Sequence, residues 1–392
     1  MGQYKWWTRG LRRGLMATAL ALMATGLGLI ATALLGGIAT SGSAQGSHQD
    51  DNQRKGALVI KEQGNRPFGG TVIGDPADAS LHCDHGYVNW QIPPHPRKLP
   101  LLMVHASSKK TWETTFDGRE GFRDIFLRRG FSTYITDLPR TGQAGQGCGP
   151  TSYEPELGDQ SRFNSWRLGL WLPGDPTPNF YPGVQFPDDP DALDEFFRVQ
   201  TPEFNAPENE QVETDALAVL LDEIGPSIML THSSTGIRGW ITPAKTPNIA
   251  AIVSYEPGNF VFPEGELPPP FPLADGTLRQ RGREIPLSDF MALTKMPIQI
   301  IWGDFIPAEL DRANVGPRLT LDTRRVNLRT AELFVEAVNR HGGDAENVLL
   351  PDIGITGNTH FPMLDLNNVE IADLLSQFLH EKRLDRRGRG GN

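Results

Sequence analysis

Short apolar runs rich in β-branched residues recur along most of the chain, and stretches with the apolar spacing of helices lie between most of them. The runs end at about Ile92, Ala106, Asp137, Thr231, Tyr255, Gly303 and Pro351. Buried parallel strands read as continuous apolar runs, and helices connect them across the faces of the sheet. The pattern therefore predicts an α/β fold with a mostly parallel central sheet and helices on both faces.

The runs also predict which strands are central. Segments 58–64 and 87–93 read as antiparallel edge strands, whereas segment 99–106 is the first fully buried strand. Later strands are predicted over residues 131–137, 227–233, 250–256, 297–304 and 347–353. We predict that they belong to one domain over residues 57–380.

Helices are predicted where apolar residues recur every three to four positions. Residues 118–130, 208–225 and 367–382 have this spacing. A glycine ends the first of these segments and acidic residues begin the second, as expected for helix termini. The basic, glycine-rich residues 381–392 are expected to form a solvated, mobile tail.

Two segments interrupt the alternation of strands and helices. Residues 142–207 are rich in Pro, Gly, Asp, Trp and Phe, and residues 257–290 contain a PPPFP run. Long segments in a compact fold often cover a functional site, and both of these follow strand ends where α/β sheets bind ligands. We predict that they form a cap over the site; the alternative is that they are poorly ordered surface insertions.

Residues 1–44 differ in composition from the rest of the chain. Four basic residues precede an apolar run from Leu15 to about Ala39, and small residues close the segment. This order is typical of a secretory signal, so we predict export, cleavage near Ala44 and a disordered lead-in over residues 45–56. Because roughly 20 apolar residues span a bilayer, an uncleaved membrane anchor is the alternative.

Charge and cysteine content restrict the partners and the compartment. The formal net charge is −10, and loss of the four basic leader residues makes it −14. Such an acidic chain argues against nucleic acid and anionic membranes as partners, so membrane contact is expected only through an uncleaved leader. Cys83 and Cys148 are the only cysteines. In an oxidising compartment they predict one disulfide, with two unpaired buried thiols as the alternative.

Residues 231–235 have the small-x-Ser-x-small pattern of a nucleophile elbow, with Ser233 at its centre. Small flanking residues are needed because the serine sits on a strained strand-to-helix turn. Here Thr231 and Thr235 occupy the positions where glycine is commoner, and Ser/Thr clusters also form ordinary turns and helix caps. Ser233 is therefore a candidate nucleophile, which needs a base and an orienting acid.

His360 is the candidate base, because it follows the last predicted strand and gives the chain order Ser, acid, His of hydrolases built on α/β sheets. Two carboxylates compete for the role of acid. Glu256 ends the strand after that of Ser233, and Asp304 ends the next one, so the sequence leaves the choice open. His82 and His85 could form a metal pair with Cys83 and Asp84, but the segment lacks the spacing of a structural zinc site and ordinary turn residues are the alternative. A triad of serine, histidine and a carboxylate requires no metal or organic cofactor, so none is predicted.

Several motifs resemble one family over residues 58–379. They are HCDHGYVNWQIP (82–93), KTWETTFDGREGF (110–122), THSSTG (231–236), SYEPG (254–258), WGDFIP (302–307) and GNTHFPMLDLNN (357–368). The chain resembles α/β-hydrolases, and specifically a group of secreted bacterial esterases with a Ser, His, Glu triad whose acid follows the sixth strand. The resemblance implies Ser233 as nucleophile, His360 as base and Glu256 as acid. Asp304 is then a structural residue beside the site.

An oxyanion hole in such a site uses two backbone N–H groups. One is expected from Ser234, directly after the nucleophile, and the other from Ala106 or Ser107 on the loop after the first buried strand. The chain departs from the family at this loop, because those esterases carry two adjacent, mutually bonded cysteines where this sequence reads HASSKKTW. The substrate range of the family is therefore not transferred.

These observations predict a secreted serine hydrolase that cleaves small-molecule carboxylic esters through an acyl-enzyme. The alternatives are another acyl substrate, such as a lactone, a polyester or an amide, and a catalytically silent binding protein on the same scaffold. Aromatic residues of the insertions are candidates either for an apolar acyl site or for the core of the cap: Trp166, Trp171, Phe180, Phe186 and Phe260.

Overall fold

The computed structural model describes residues 56–105, 109–150, 157–202 and 207–388. The predicted leader and nearly all of the lead-in lie outside this part of the chain, as do Ala106 and Ser107. Within the described ranges, no helix combines the length and apolar character needed to cross a bilayer.

Among the residues that the structure describes, eight strands form the central sheet. They are β1 (Glu62–Phe68), β2 (Gly86–Ile92), β3 (Leu101–His105), β4 (Thr133–Asp137), β5 (Ser227–His232), β6 (Ile249–Tyr255), β7 (Pro297–Trp302) and β8 (Asp344–Leu349). Their order is β1-β2-β4-β3-β5-β6-β7-β8. β2 is antiparallel to both neighbours, and β3 to β8 are parallel to one another. The predicted α/β class is confirmed.

The carboxyl ends of the strands, which position the site, agree closely with the prediction. β4 ends at Asp137 and β6 at Tyr255, and β5 and β7 end one residue from the predicted positions. The prediction for the first strand is wrong, because β1 begins later in the chain. Phe68 is the buried apolar residue of that strand, at 2% exposure, whereas Val59 is 60% exposed. β2 also lies inside the sheet, between β1 and β4, and not at its edge.

The central strands are buried on both faces. In β3, Leu102 and Val104 pack into one hydrophobic core, and Leu101 and Met103 pack into another. This alternation follows from the extended backbone, which directs successive side chains to opposite faces. Burial on both faces explains why these strands read as continuous apolar runs in the sequence.

Helices cover both faces of the sheet. They are α1 (Lys110–Glu113), α2 (Phe122–Arg128), α3 (Asp159–Ser165), α4 (Pro190–Arg198), α5 (Pro207–Ile224), α6 (Gly236–Ile241), α7 (Leu287–Phe290), α8 (Leu319–Arg340) and α9 (Asn368–Glu381). Short 3-10 turns occur at Ser233–Thr235, Thr242–Ala244, Met291–Lys295, Gly316–Arg318 and Leu350–Ile353. α5, α6 and α8 contribute apolar residues to one core, and α2 and α9 contribute to the other. The helices predicted from apolar spacing correspond to α2, α5 and α9.

The two insertions follow β4 and β6 and contain secondary structure of their own. The first includes α3 and α4. Short paired strands outside the central sheet are Thr71–Gly74 with Ser80–Cys83, Gly169–Leu170 with Asn179–Phe180, Phe260–Pro263 with Gly282–Ile285, and Phe271–Pro272 with Leu278–Arg279. Whether the insertions act as a cap remains a prediction.

Cys83 and Cys148 form a disulfide, with their Cα atoms 5.0 Å apart. It joins the hairpin before β2 to the start of the first insertion. Beside it, Arg140 donates two hydrogen bonds of 2.7 and 2.8 Å to the carboxylate of Asp84, and the Cys148 N–H donates to the same group at 3.1 Å. The polar side chain of Asp84 therefore holds the chain segments around the disulfide together.

The prediction of a free tail over residues 381–392 is wrong for its first part. The N–H of Lys98 donates to the carbonyl of Arg386 at 2.8 Å, and Arg97 and Arg387 form an isolated bridge. Arg97 also forms an ion pair with Asp385 at 3.5 Å. These contacts hold the chain after α9 against the loop before β3. The last four residues lie outside the described part.

Candidate active site

Ser233 directly follows β5 and begins the 3-10 turn that leads into α6. Its φ is +54°, in a region that residues other than glycine rarely adopt. Such strain persists only where surrounding contacts fix the backbone. Here the N–H of Gly258 donates to the carbonyl of Ser233 at 3.0 Å. The segment has the strand-to-helix turn that its sequence pattern predicts.

Two threonines take the place of the usual small residues at the elbow, and both are fully buried. Thr231 donates its hydroxyl to Ser254 at 2.8 Å. The Thr235 hydroxyl oxygen accepts the N–H of His232 at 3.0 Å and lies 3.1 Å from the carbonyl of Val104. Their hydroxyl groups are therefore hydrogen-bonded, which removes the cost of burying a polar group.

Close packing next to the nucleophile still requires a glycine at position 236. A Cβ atom there would lie 2.5 Å from the Cβ of Pro257, which is closer than non-bonded carbon atoms approach. The start of α6, directly after the turn that carries Ser233, can therefore lie against the chain that follows β6.

His360 lies between the serine and a carboxylate and is fully buried. Its Nε2 lies 2.8 Å from Ser233 Oγ, and its Nδ1 lies 3.0 Å from Glu256 Oε2. An ionised carboxylate only accepts hydrogen bonds, so Nδ1 carries the proton and Nε2 accepts from the serine hydroxyl. The N–H of His360 donates to the carbonyl of Trp166 at 3.0 Å, which ties the histidine loop to the first insertion.

Glu256 directly follows β6 and, like Ser233, has a positive φ, of +51°. The guanidinium of Arg167 donates to its two oxygens at 2.9 and 2.5 Å, and the N–H of Gly303 donates to Oε1 at 2.6 Å. Both side chains of the ion pair are fully buried. A planar guanidinium bound through two nitrogens fixes the orientation of the carboxylate as well as compensating its charge.

Asp304, the competing carboxylate, is engaged elsewhere. Its two oxygens accept the N–H groups of Phe305 at 2.6 Å and Gly357 at 2.8 Å. The backbone N–H of Asp304 donates to the backbone carbonyl of Asn358 at 2.7 Å. The carboxylate thus braces the loop that leads to His360, while Glu256 is the carboxylate in contact with the imidazole.

A buried chain of histidines supports the loop of His360. His232 Nε2 lies 2.7 Å from the carbonyl oxygen of His360, and His232 Nδ1 lies 2.8 Å from His105 Nε2. A carbonyl oxygen only accepts, so His232 carries its proton on Nε2 and accepts on Nδ1 from His105. Burial lowers the pKa of His232 to about 4 and lowers that of His105 well below its ordinary value. Both rings are therefore neutral at pH 7.

The electrostatics favour His360 as a base at neutral pH. Its pKa is lowered well below 6.5, first by burial and then by the positive charge of Arg324. Burial disfavours the charged imidazolium because the protein interior solvates a charge less well than water does. The ring is therefore neutral in the resting site, as a proton acceptor must be.

A cavity of about 380 Å³ lies beside the nucleophile. Its wall is polar and is formed by Ser165, Glu210, Ser233, Ser234, Arg238, Gly258, Asn259, Arg281, Thr320, Thr323, Arg324 and Asn327. None of the five aromatic candidates belongs to it; Phe186 and Phe260 instead are buried in the hydrophobic cores. A separate cavity of about 400 Å³ beside β1, β2 and β4 shares no residue with the triad.

The structure brings together Ser233, His360 and Glu256, and it places Ser234 on the wall of the cavity. Ala106 and Ser107, proposed for the oxyanion hole, lie outside the described residues. Within the described ranges, no cluster of His, Cys, Asp and Glu has the arrangement of a metal site.

The sequence did not indicate Arg167, although a single arginine within the apolar run SWRLGLWL is a sign of a buried ion pair. Its partner lies 89 residues away, so no local pattern connects them. The contact between His232 and His105 also joins separate strands, β5 and β3.

The sheet order, the turn at Ser233 and the loop after β8 define the α/β-hydrolase fold. A solved structure described as a novel bacterial esterase superposes with a TM-score of 0.64 at 26% identity, covering 84% of this chain and 98% of that one. In sequence, the chain is 27% identical over 320 residues to a "probable secreted lipase phiG" from Fungal sp. (strain ATCC 74256). That alignment covers 76% of this chain and 86% of the relative.

No protein-family model matches the chain. The two similarities nevertheless agree with each other and with the fold, and they place the chain with the carboxylic ester hydrolases of the α/β-hydrolase fold.

Proposed function

We propose that the chain is a secreted serine esterase that works through an acyl-enzyme, with Ser233 as nucleophile, His360 as base and Glu256 as acid. The observation that carries this proposal is the unbroken hydrogen-bonded chain from Ser233 Oγ through His360 to the Glu256 carboxylate, at 2.8 and 3.0 Å. Such a chain raises the nucleophilicity of a hydroxyl that is otherwise weak.

In the first half-reaction, Ser233 Oγ attacks the ester carbonyl carbon and His360 Nε2 takes the hydroxyl proton. Glu256 stabilises the imidazolium through Nδ1, and the N–H of Ser234 with one from Ala106 or Ser107 binds the oxyanion. Collapse of the tetrahedral intermediate breaks the bond to the alkoxy oxygen, which leaves as the alcohol with the proton from His360. Water, activated in turn by His360, then hydrolyses the acyl-enzyme.

Secretion is supported by the order of basic, apolar and small residues in the leader, and the curated relative is itself described as secreted. Export also suits the disulfide between Cys83 and Cys148, because such bonds persist in oxidising compartments.

A fluorophosphonate probe tests the nucleophile directly. Purified protein should be labelled on a single peptide that contains Ser233, and the Ser233→Ala variant should be neither labelled nor able to hydrolyse p-nitrophenyl acetate. Ser288→Ala, at an exposed serine, is the matched control and should retain both properties. Labelling and hydrolysis that survive in folded Ser233→Ala would refute the assignment.

The competing functions give different outcomes. A silent binding protein would show no labelling at Ser233 and no turnover of any ester. A hydrolase for amides or lactones would be labelled at Ser233 but would cleave those substrates with a higher kcat/KM than matched esters.

A further inference from the structure

Three arginines line the cavity beside Ser233, and only one of them is paired with a carboxylate. Arg238 donates to Glu213 at 2.5 Å, and both side chains are buried. In the part of the chain that the structure describes, Arg281 and Arg324 have no carboxylate oxygen within 4.0 Å. The wall of the cavity therefore carries two cations that no carboxylate of the described residues neutralises.

Arg324 is held in place by neutral groups. Its Nε donates to the carbonyl of Ser165 at 3.1 Å, and an Nη donates to the hydroxyl of the same serine at 3.2 Å. The residue is 9% exposed and shares its face of α8 with Thr320 and Asn327, two other cavity residues that lie four positions before it and three positions after it. Arg324 is therefore fixed, largely buried and directed into the cavity without a counter-ion.

Arg281 comes from the second insertion. Its Nε is buried and has no hydrogen-bond acceptor among the described residues. Burial, and then the charge of Arg279, lower the pKa of Arg281 to about 10, so the guanidinium is still charged at pH 7. Taking part of a cation out of water without a partner is costly, and a bound anion would supply the missing charge.

Among the described residues of the cavity wall, the one acidic side chain does not neutralise these cations. Glu210 lies 2.6 Å from Arg283 and forms an ion pair with it. The other polar groups on the wall are neutral hydroxyls and carboxamides, and the Asn327 carboxamide oxygen is buried without a partner. The cavity is thus positive although the whole chain has a net charge of −10, which favours entry of an anionic ligand.

We infer that the substrate is an ester that also carries a carboxylate, which binds between Arg281 and Arg324 while the ester carbonyl lies at Ser233. This inference rests on the proposed esterase function and specifies its substrate class. The cavity volume of about 380 Å³ falls within the range of roughly 300–1,000 Å³ that small-molecule sites occupy. The carboxylate is on either the acyl or the alcohol side of the ester.

Matched pairs of esters distinguish the two sides. For the acyl side, p-nitrophenyl hydrogen adipate is compared with p-nitrophenyl hexanoate, which has the same chain length and no charge. For the alcohol side, 4-acetoxybenzoate is compared with 4-acetoxytoluene. At low salt, the anionic member of at least one pair should have a kcat/KM on the order of tenfold higher, because a guanidinium binds a carboxylate in preference to a methyl group.

Variants assign the preference to the arginines. Arg281→Gln and Arg324→Gln should each reduce the anionic-to-neutral ratio of kcat/KM by about tenfold. Arg281→Lys keeps a positive charge and should retain part of the preference for the anionic ester. Arg279→Gln, at an exposed arginine two residues away, is the matched control and should keep the wild-type ratio. The inference is overturned if the neutral ester is favoured in both pairs or if the glutamine variants keep the ratio.

A binding measurement separates this inference from the proposed function. Ser233→Ala is titrated calorimetrically with monomethyl adipate and, as the neutral control, methyl hexanoate. Binding of the anion alone, with no hydrolysis by the wild type, would refute the esterase and retain the anion site. Hydrolysis of esters by the wild type, without binding of the anion to Ser233→Ala, would support the esterase and refute the anion site.

Discussion

Arg167 and His360 share one oxygen of Glu256: Arg167 donates to Oε2 at 2.9 Å, and His360 Nδ1 lies 3.0 Å from the same atom. The acid that orients the imidazole is therefore itself oriented by a buried cation. Removing that cation leaves an uncompensated buried carboxylate and takes away two of the hydrogen bonds that orient it.

Arg167→Met should lower the free energy of unfolding by about 3–5 kcal/mol, because one partner of a buried ion pair is left unpaired. It should also lower kcat/KM of the protein that remains folded. Urea denaturation at pH 7 and initial rates on p-nitrophenyl acetate measure the two effects. The control is Arg198→Gln, which breaks the exposed pair with Asp194 and should cost no more than about 1 kcal/mol.

Glu256→Gln should reduce kcat/KM on the order of 10³- to 10⁴-fold, because an amide cannot stabilise the imidazolium and can present its N–H to the ring. Asp304→Asn should reduce it by less than about tenfold, since its role is to brace a loop and one carbonyl oxygen is kept. Circular dichroism verifies that both variants are folded. The opposite ranking of the two variants would assign the acid to Asp304.

The lowered pKa of His360 places the acid limb of the pH profile of kcat/KM below pH 6.5. Activity is lost as the pH falls through that pKa, because the imidazolium cannot accept a proton. Arg324→Gln removes a nearby positive charge, so the pKa rises and the acid limb moves to higher pH. Arg324→Lys keeps the positive charge, so the acid limb of the pH profile should move less than in Arg324→Gln. An equal movement in both variants would show that the charge at position 324 does not lower the pKa of His360.

Asp365 should make the stability of the protein depend on pH. Burial raises its pKa to about 7 in the folded state, against 3.8 ordinarily, although Thr359 and Asn358 donate hydrogen bonds to it. Because the folded state holds this proton more tightly, the contribution of Asp365 to stability is complete below about pH 4 and is lost as the pH rises through 7.

Asp365→Asn isolates this effect. An asparagine can accept from the Thr359 N–H and donate to the Thr359 hydroxyl, so the local contacts survive. Urea denaturation of the variant across pH 4 to 8 should show a smaller decrease in the free energy of unfolding than the wild type. Parallel curves for the two proteins would show that Asp365 does not titrate in this range.

The parts of the fold that could be predicted from sequence are those with a local signature. Strands buried on both faces read as apolar runs, so the ends of β4 to β7 were predictable to within one residue. The position of the edge strand β1 could not be predicted in this way, because Phe68 is its only fully buried apolar residue. The residues after those strand ends, Ser233 and Glu256, were for the same reason identifiable as site candidates.

The lining of the cavity could not be predicted, because it depends on how insertions pack. Arg281 and Arg324 are far apart in sequence and meet Ser233 only through the tertiary fold. Aromatic residues of the insertions suggested an apolar site, yet Phe186 fills a core and Trp166 packs on Phe361. Composition indicates that these side chains are buried but not which space they fill.

The ion pair between Arg167 and Glu256 also constrains how such an enzyme can be redesigned. Arg167 belongs to the first insertion, and connecting segments of this kind vary among homologues and carry binding residues, so they are natural targets for exchange. An exchange that omits this arginine would impair the acid of the triad along with the intended specificity. A transplanted loop would have to supply a cation at the same place before its effect on substrate choice could be observed.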